Sequence, residues 1–278
     1  MLKSFLTSSS GLSSRIIQFS RKMHVDYLPM RWKSGDNYCY ILSDDETKKS
    51  WLIDPAYPSE ISSYLLNHNK TDVIAIVNTH HHYDHSGGNE ELLKSVYPGV
   101  DVIAGKDSPC VNRIPKDGEI LELGKNVKIK AIHTPCHTQD SICYYAEDQK
   151  TGQKGVFTGD TLFISGCGRF FEGDGAQMKA AFEKLLELPE DTKVYPGHEY
   201  TRSNVKFSKI VLGTKNEALN NLEEYCIKHE VTTGVFTIGD EKRFNPFARL
   251  SDPEIQRSTQ ETDPVKVMDK LRSMKNKL

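Results

Sequence analysis

The sequence predicts an α/β fold with a smaller helical part at its C-terminal end. Up to about residue 188, short apolar runs of strand length alternate with segments whose apolar residues recur at helical spacing. After residue 198 the apolar spacing is predominantly helical. With 278 residues, of which 37% are hydrophobic, the chain can bury one large core and a smaller appended unit.

The strand and helix patterns follow one another in a regular order. The run at residues 73–78 is continuously apolar and rich in β-branched residues, and Gly87 and Gly88 then permit a sharp turn into a helical segment. Strands are predicted over residues 38–43, 51–54, 73–78, 127–133, 141–146, 155–157 and 193–195. Helices are predicted over residues 59–68, 89–96, 176–188, 204–211, 216–227 and 265–274.

The most informative motif is Thr-His-His-His-Tyr-Asp-His at residues 79–85. Imidazole nitrogens and carboxylate oxygens are the ligands of zinc and its first-row neighbours. On a tight loop after a strand, these side chains cannot all reach one ion, so part of the motif turns toward a second position. The candidate ligands in this motif are His80, His82, Asp84 and His85.

Three further metal-binding side chains come later, each at the end of a predicted strand. His137, Asp160 and His198 each stand close to Gly or Pro, which indicates a loop. Each of them alone is a weak signal, because a single histidine is more often structural. In this order after the first motif, they form a strong signal.

These motifs together resemble the metallo-β-lactamase superfamily. Within it, residues 166–173, 195–200 and 244–249 resemble the glyoxalase II (hydroxyacylglutathione hydrolase) family in its fungal mitochondrial form. The resemblance extends over nearly all of the chain from Met23 onward. It implies an αββα sandwich of two mixed sheets at residues 23–198 and a helical substrate-binding domain at residues 199–278.

The resemblance also implies two divalent ions, with zinc expected and iron or manganese as alternatives. The first ion would be held by His80, His82 and His137, the second by Asp84, His85 and His198, and Asp160 would bridge both. Asp84 and Asp160 are catalytic in this interpretation, because they hold the ions that make a bridging water nucleophilic. Asp54 resembles a carboxylate that orients a ligand histidine, although a turn residue at a strand end is an equally good interpretation.

The reaction that the resemblance implies is hydrolysis of S-D-lactoylglutathione to glutathione and D-lactate, the second step of methylglyoxal detoxification. A thiolate leaves readily, so no dedicated general acid is required. Glutathione carries two carboxylates, so a basic clamp is expected. By resemblance its contacts are Arg169, Phe171, Tyr200, Arg272 and Lys275. Relatives often have Lys where this chain has Arg169, and Tyr where it has Phe171, which removes a hydroxyl.

Three other functions compete with this interpretation. A persulfide dioxygenase would use one iron on His80, His137 and Asp160, and would not be expected to carry the helical C-terminal part. A nuclease would need a basic surface, which a net charge of -2 does not favour. A non-catalytic metal carrier would need only four ligands.

Residues 1–22 have the composition of a mitochondrial presequence. They contain four basic residues, many serines and scattered apolar residues, and no Asp or Glu. The serines interrupt the apolar core that a secretory signal needs, and a disordered tail remains the alternative. The mitochondrial matrix is therefore the expected location, and a second form starting at Met23 would be cytosolic.

The remaining composition sets expectations for cysteines and partners. The six cysteines are expected to be free, buried thiols, because a chain of this size in a reducing compartment does not need disulfides. No apolar stretch has the length needed to span a bilayer. We expect a monomer that binds a small glutathione thioester and neither nucleic acid nor membrane.

Overall fold

Two five-stranded sheets form the centre of the protein, whose computed structural model describes residues 22–67 and 72–278. The first sheet contains, in spatial order, β1 (Met23–Met30), β2 (Asn37–Asp44), β3 (Ser50–Ile53), β4 (Val73–Val77) and β5 (Asp101–Ile103). The second contains β6 (Ile120–Leu123), β7 (Val127–His133), β8 (Ile142–Asp148) and β9 (Lys154–Gly159). A hairpin of β10 (Leu162–Phe163) and β11 (Gly166–Cys167) follows, and β12 (Lys193–Pro196) completes the second sheet beside β9.

Both sheets are mixed. Strands β1 to β3 pair antiparallel, and β3, β4 and β5 pair parallel. In the second sheet β6 to β9 pair antiparallel, and β12 is parallel to β9. Parallel neighbours bring their carboxyl ends to the same edge of a sheet, and ligand sites of α/β proteins commonly form at such an edge.

The helices lie between and after the strands. They are α1 (Pro58–Asn67), α2 (Tyr83–Ser86), α3 (Asn89–Ser95), α4 (Gly175–Leu186), α5 (Thr201–Leu212), α6 (Glu217–Lys228), α7 (Ile238–Phe244), α8 (Pro253–Thr259) and α9 (Pro264–Lys275), with a 3₁₀ turn at Pro246–Ala248. In the described parts of the chain, no helix combines the length and apolar character needed to cross a bilayer.

Strand β2 shows how the first sheet is buried on both faces. Its side chains alternate between the two sides. Tyr40 points into the core between the sheets, where its ring lies 5.3 Å from that of Phe157 on β9. Ile41 points outward and packs in a second cluster with Ile61 of α1 and Leu92 of α3. Helices therefore cover the outer face of this sheet.

The second sheet is covered in the same way by later helices. Strand β8 contributes Tyr144 to the core between the sheets and Cys143 to an outer cluster. That outer cluster includes Phe182 of α4 and Leu271 of α9. The order of layers is helix, sheet, sheet, helix, with the C-terminal helices packed against α4, so the predicted αββα fold with a helical C-terminal part is confirmed.

All the predicted strands are present, and their ends differ by at most two residues from the prediction. The helix predicted at 204–211 begins earlier, at Thr201, and residue 68 of the helix predicted at 59–68 lies outside the described residues. The sequence patterns missed β1, β5, β6 and the β10–β11 hairpin, as well as α7 and α8. Apart from β1, the missed strands of the two five-stranded sheets have at most four residues, which is too short for a periodic signal.

One part of the metal-binding motif was predicted wrongly. We expected residues 79–85 to be a loop, but residues 83–86 form the single helical turn α2. The turn closes because the amides of His85 and Ser86 both donate to the carbonyl of His82, at 2.9 and 3.0 Å. It carries Asp84 and His85 away from the extended segment that holds the earlier histidines.

The N-terminal prediction is only partly covered by the structure. Of the predicted presequence, residues 1–21 lie outside the described residues. Met23 begins β1, is almost fully buried, and donates its backbone N–H to Asp148 Oδ2 at 2.6 Å. The six cysteines are free, and five are buried as expected, but Cys110 is exposed.

Candidate metal centre

Three histidines form the first group of metal-binding side chains. His80 and His82 follow β4, and His137 follows β7. His82 Nδ1 lies 3.1 Å from His80 Nε2 and 3.0 Å from His137 Nε2. Three nitrogens bound at about 2.0 to 2.1 Å in a tetrahedral zinc site are about 3.3 Å apart. The three rings therefore converge at nearly the spacing that a common ion requires.

The second group lies beside the first and combines two histidines with a carboxylate. His85 and Asp84 come from α2, and His198 follows β12. His85 Nε2 and His198 Nε2 are 3.2 Å apart, and Asp84 Oδ2 lies 3.5 Å from His198 Nε2. These three ligand atoms also fall within one small volume.

Asp160 lies between the two groups, directly after β9. Its Oδ2 is 3.5 Å from His137 Nε2 and 3.4 Å from His198 Nε2, and its Oδ1 is 3.4 Å from His85 Nε2. Oδ1 is buried, and among the described residues it has no hydrogen-bond partner. A carboxylate in this position can interact with ions in both groups at once.

The imidazole nitrogens are oriented by hydrogen bonds on the other side of each ring. His137 Nδ1 donates to the carbonyl of Arg169 at 2.9 Å, and His198 Nδ1 donates to the carbonyl of Gly35 at 2.8 Å. A carbonyl can only accept, so Nδ1 of both rings carries the proton and Nε2 keeps its lone pair. His85 Nδ1 similarly faces Asp54 Oδ2 at 3.0 Å. These contacts direct the Nε2 atoms toward the centre.

Burial and charge affect the two groups differently. Burial lowers the pKa of His80, His82 and His137, which favours the neutral form that binds metals. Burial also acts to lower the pKa of His85, but Asp160 and Asp54 outweigh it and raise that pKa to about 9. The carboxylates around His85 thus favour positive charge in the second group, which is the charge that a bound cation would supply.

The pKa of Asp160 itself is held well below its usual value. Burial acts to raise it, but His198 and His85 outweigh burial and stabilise the carboxylate. Gly197 makes room for this arrangement, since a Cβ there would lie 2.4 Å from Asp160 Oδ1 and 2.7 Å from the His85 ring. The donor types, their spacing and the orphaned Oδ1 together fit two divalent cations.

A cavity of about 540 Å³ opens above the centre. All five predicted substrate contacts line it, together with several of the metal-binding side chains. The Tyr200 ring stacks on His198 with centroids 4.6 Å apart, and Phe171 contacts the rings of His82 and His137 edge to face. The predicted substrate contacts in its wall are Arg169, Phe171, Tyr200, Arg272 and Lys275.

Comparison with known proteins agrees with this geometry. A family model described as the metallo-beta-lactamase superfamily matches residues 33–198, and one described as the hydroxyacylglutathione hydrolase C-terminus matches residues 199–278. The cytoplasmic hydroxyacylglutathione hydrolase isozyme of Saccharomyces cerevisiae is 50% identical over 275 residues, covering 92% of this chain and 100% of the relative. The chain belongs to the hydroxyacylglutathione hydrolase family.

Two further comparisons extend this result. The mitochondrial hydroxyacylglutathione hydrolase of the same yeast is 44% identical, covering 94% of this chain and 98% of the relative. Among solved structures, ETHE1 from Myxococcus xanthus matches with a TM-score of 0.62 at 25% identity, covering 91% of this chain and 98% of that one. Family membership is thus supported by nearly the whole length of the chain.

In this member of the family, the two basic residues of α9 that line the cavity have different surroundings. Arg272 is 9% exposed, and its Nη1 donates to the carbonyl of Cys167 at 2.7 Å. Lys275 Nζ donates to the carbonyl and the hydroxyl of Ser203, at 3.0 and 2.8 Å. Burial, with a smaller effect of the Arg272 charge, lowers the pKa of Lys275 to about 8. Arg272 therefore also binds the end of β11.

Sequence reasoning missed Asn37, the first residue of β2. Its Nδ2 donates to Asp84 Oδ2 at 3.0 Å and to the Asp84 carbonyl at 3.1 Å. Asn37 is 1% exposed and also pairs with His198 through an isolated backbone bridge. It therefore connects two members of the second group. A single Asn at a strand start carries no motif, so the sequence offered no signal for it.

Asp54 tests whether the contacts behind the rings matter for binding. Its two oxygens accept from His85 Nδ1, the Thr79 amide and the Thr79 hydroxyl, at 3.0, 2.8 and 2.7 Å. In Asp54→Asn an NH₂ group replaces one acceptor while three donors still converge. Asn tolerates the positive φ of 54° at this position. We expect zinc affinity at the second group to fall about 10- to 100-fold, measured by titration with a competing chelator.

The matched control is Asp191→Asn, which removes a surface carboxylate paired with Lys154. It should leave both zinc affinities unchanged. If Asp54→Asn bound both ions as tightly as this control, Asp54 would be only a turn residue at the end of β3.

Proposed function

We propose that this protein is a binuclear, metal-dependent thioester hydrolase that cleaves S-D-lactoylglutathione to glutathione and D-lactate, the second step of methylglyoxal detoxification. The position of Asp160 carries the proposal, since its carboxylate lies against both groups of metal-binding side chains. The full-length yeast relatives named hydroxyacylglutathione hydrolase support the reaction class.

In this proposal each group holds one divalent cation. His80, His82 and His137 hold the first, Asp84, His85 and His198 hold the second, and Asp160 bridges them. When bound, the two ions would lower the pKa of a water between them and polarise the thioester carbonyl. We propose zinc as the metal because imidazole and carboxylate suit it, although iron and manganese accept the same donors.

The side chains prepare the site in three ways. The carbonyls of Arg169 and Gly35 fix the ring protons of His137 and His198, so the Nε2 lone pairs face inward. Asn37 holds Asp84 in place. The leaving group is a thiolate whose conjugate thiol has a pKa of about 8.5, so it departs without a proton from a dedicated acid. The protein therefore needs to supply position and charge rather than a nucleophilic side chain.

We propose that the cavity recognises the glutathione part of the substrate by charge. The cavity wall carries the positive groups of Arg169, Arg272 and Lys275. Their charge is opposite in sign to that of the two carboxylates of glutathione. Phe171, 58% exposed, offers an apolar face beside the metal-binding rings, and the Arg169 guanidinium lies 5.6 Å from its ring. Without a hydroxyl at this position, glutathione must be held mainly by the basic groups and Tyr200.

The division of the chain and its location are also proposals. We propose that residues 23–198 form the catalytic domain, that residues 199–278 form the substrate-binding domain, and that residues 1–22 direct a monomeric protein to the mitochondrial matrix. The burial of Met23 in β1 supports a fold that begins there, so a form starting at Met23 would remain in the cytosol. Identity is higher to the cytoplasmic yeast isozyme than to the mitochondrial one, so it does not favour the mitochondrial type.

The direct test of the reaction is thiol release from S-D-lactoylglutathione by the purified full chain, with metals counted in the same preparation. We expect release of glutathione by protein that holds metal in both groups, and loss of release after metal removal. Oxygen uptake on glutathione persulfide by a one-iron protein that releases no thiol would contradict the proposal and favour a dioxygenase.

Lys275→Ala tests recognition of glutathione by charge. Loss of one charge-assisted contact should raise KM for S-D-lactoylglutathione about 10-fold. The kcat for a small thioester without carboxylates in its thiol should stay within about twofold. Steady-state kinetics on both substrates measure this difference.

Lys270→Ala is the matched control, because Lys270 is exposed on the same helix and does not line the cavity. It should leave both substrates unaffected. Equal losses on the two substrates in Lys275→Ala would show that Lys275 does not read the glutathione carboxylates.

A further inference from the structure

We propose a third divalent-cation site beside the binuclear centre, formed by His81, Asp107 and Asp140 with Glu172 at its edge. His81 is the one histidine of the motif at residues 79–85 that neither group uses. Ligand atoms of His81, Asp107 and Asp140 all lie within 4.8 Å of one another. This cluster, which we call the outer site, is built from four separate segments of the chain.

The contacts of His81 define the outer site. His81 Nδ1 lies 2.8 Å from Asp140 Oδ1, and His81 Nε2 lies 3.7 Å from Glu172 Oε1. Asp140 follows β7, Asp107 follows β5, and Glu172 belongs to the segment after β11. The outer site thus joins the metal-binding motif to the segment that carries Arg169 and Phe171.

Asp140 provides an independent indication of a ligand. Its side chain is fully buried, with 0% exposed. Oδ1 is satisfied by His81 and by the Thr138 hydroxyl at 2.7 Å, but Oδ2 is buried and accepts no hydrogen bond from any residue in 22–67 or 72–278. A buried carboxylate oxygen without a partner is costly, and an ion at this position would remove the cost.

The neighbouring segment has a second unsatisfied group. Ser108, next to Asp107, is 4% exposed, and its hydroxyl makes no hydrogen bond within the described part of the chain.

Asp140 cannot readily move to relieve its own oxygen, because its backbone packs closely against Gly105. A Cβ at Gly105 would lie 2.2 Å from the Asp140 carbonyl oxygen. The backbone that carries the Asp140 side chain is therefore held in place.

Charge also favours a cation. The outer site has three carboxylates and one imidazole, and no Lys or Arg forms an ion pair with any of them in residues 22–67 and 72–278. Carboxylates this close repel one another unless a positive charge lies between them. A single imidazole combined with carboxylates suits zinc or manganese, whereas magnesium and calcium prefer oxygen alone.

The experiment counts zinc in the full chain after removal of all metal and re-equilibration at buffered free zinc. The parent for every variant is Cys110→Ser, because Cys110 carries an exposed thiol in the same segment and a thiol can itself be a zinc ligand. Asp107→Asn removes an exposed ligand with little risk to folding. Asp140→Asn keeps the side-chain shape and removes the charge.

We expect Asp107→Asn and Asp140→Asn each to bind one zinc fewer than the parent, or to bind the last ion at least about 10-fold more weakly. Asp101→Asn, an exposed carboxylate outside the outer site, should match the parent. The result is a difference between variants, so it does not depend on how many ions the binuclear centre holds. Thiol release measured in parallel shows separately whether that centre works.

Two results would overturn the outer site. The first is Asp107→Asn binding as many zinc ions, as tightly, as the parent and the Asp101→Asn control. The second is that the Cys110→Ser parent already binds one zinc fewer than the unsubstituted chain, which would assign that zinc to the Cys110 thiol. If Asp140→Asn does not fold, the Asp107→Asn comparison still decides the question.

Discussion

The rest of the site depends on the contacts that the Asp160 carboxylate makes with both groups of histidines. Seven metal-binding groups arrive from four strand ends, and Asp160 is the member within 3.5 Å of histidines from both groups. Burial alone would favour its neutral form, but the surrounding histidines keep it charged. The absence of a Cβ at Gly197 leaves the space that this carboxylate occupies. Two cation sites can share this one carboxylate because β9 ends between the two groups, directly before Asp160.

The two sheets provide the rigid support for this arrangement. Strands β4, β7, β9 and β12 pack around one aromatic core, in which Tyr195 stacks on Phe157 with centroids 5.0 Å apart. The C-terminal helices then add what the sheets lack, a basic wall over the centre. Arg272 joins the two parts, since it lines the cavity and also binds the carbonyl of Cys167. Arg272 therefore ties the helical wall of the cavity to the end of β11.

The sequence predicted the layers and the site because both follow strong local patterns. The strand at residues 127–133 is bounded as predicted, and the candidate ligands, which the sequence places on loops at strand ends, lie close together in the structure. Short strands such as β5 and the single turn α2 escaped prediction, because long-range pairing and local hydrogen bonds rather than periodicity define them. Asn37 and Asp140 escaped for a similar reason. Their importance comes from neighbours that are 47 and 59 residues away in the chain.

The central claim is that Asp160 lies between two cations. Anomalous diffraction from a zinc-loaded crystal, recorded at the zinc absorption edge, tests this most directly. At the binuclear centre the account predicts two peaks about 3.5 to 4 Å apart, one at each group and both separate from any peak at the outer site, with Asp160 in contact with both. A single peak at His80, His82 and His137 under saturating zinc, with Asp84, His85 and His198 empty, would contradict it.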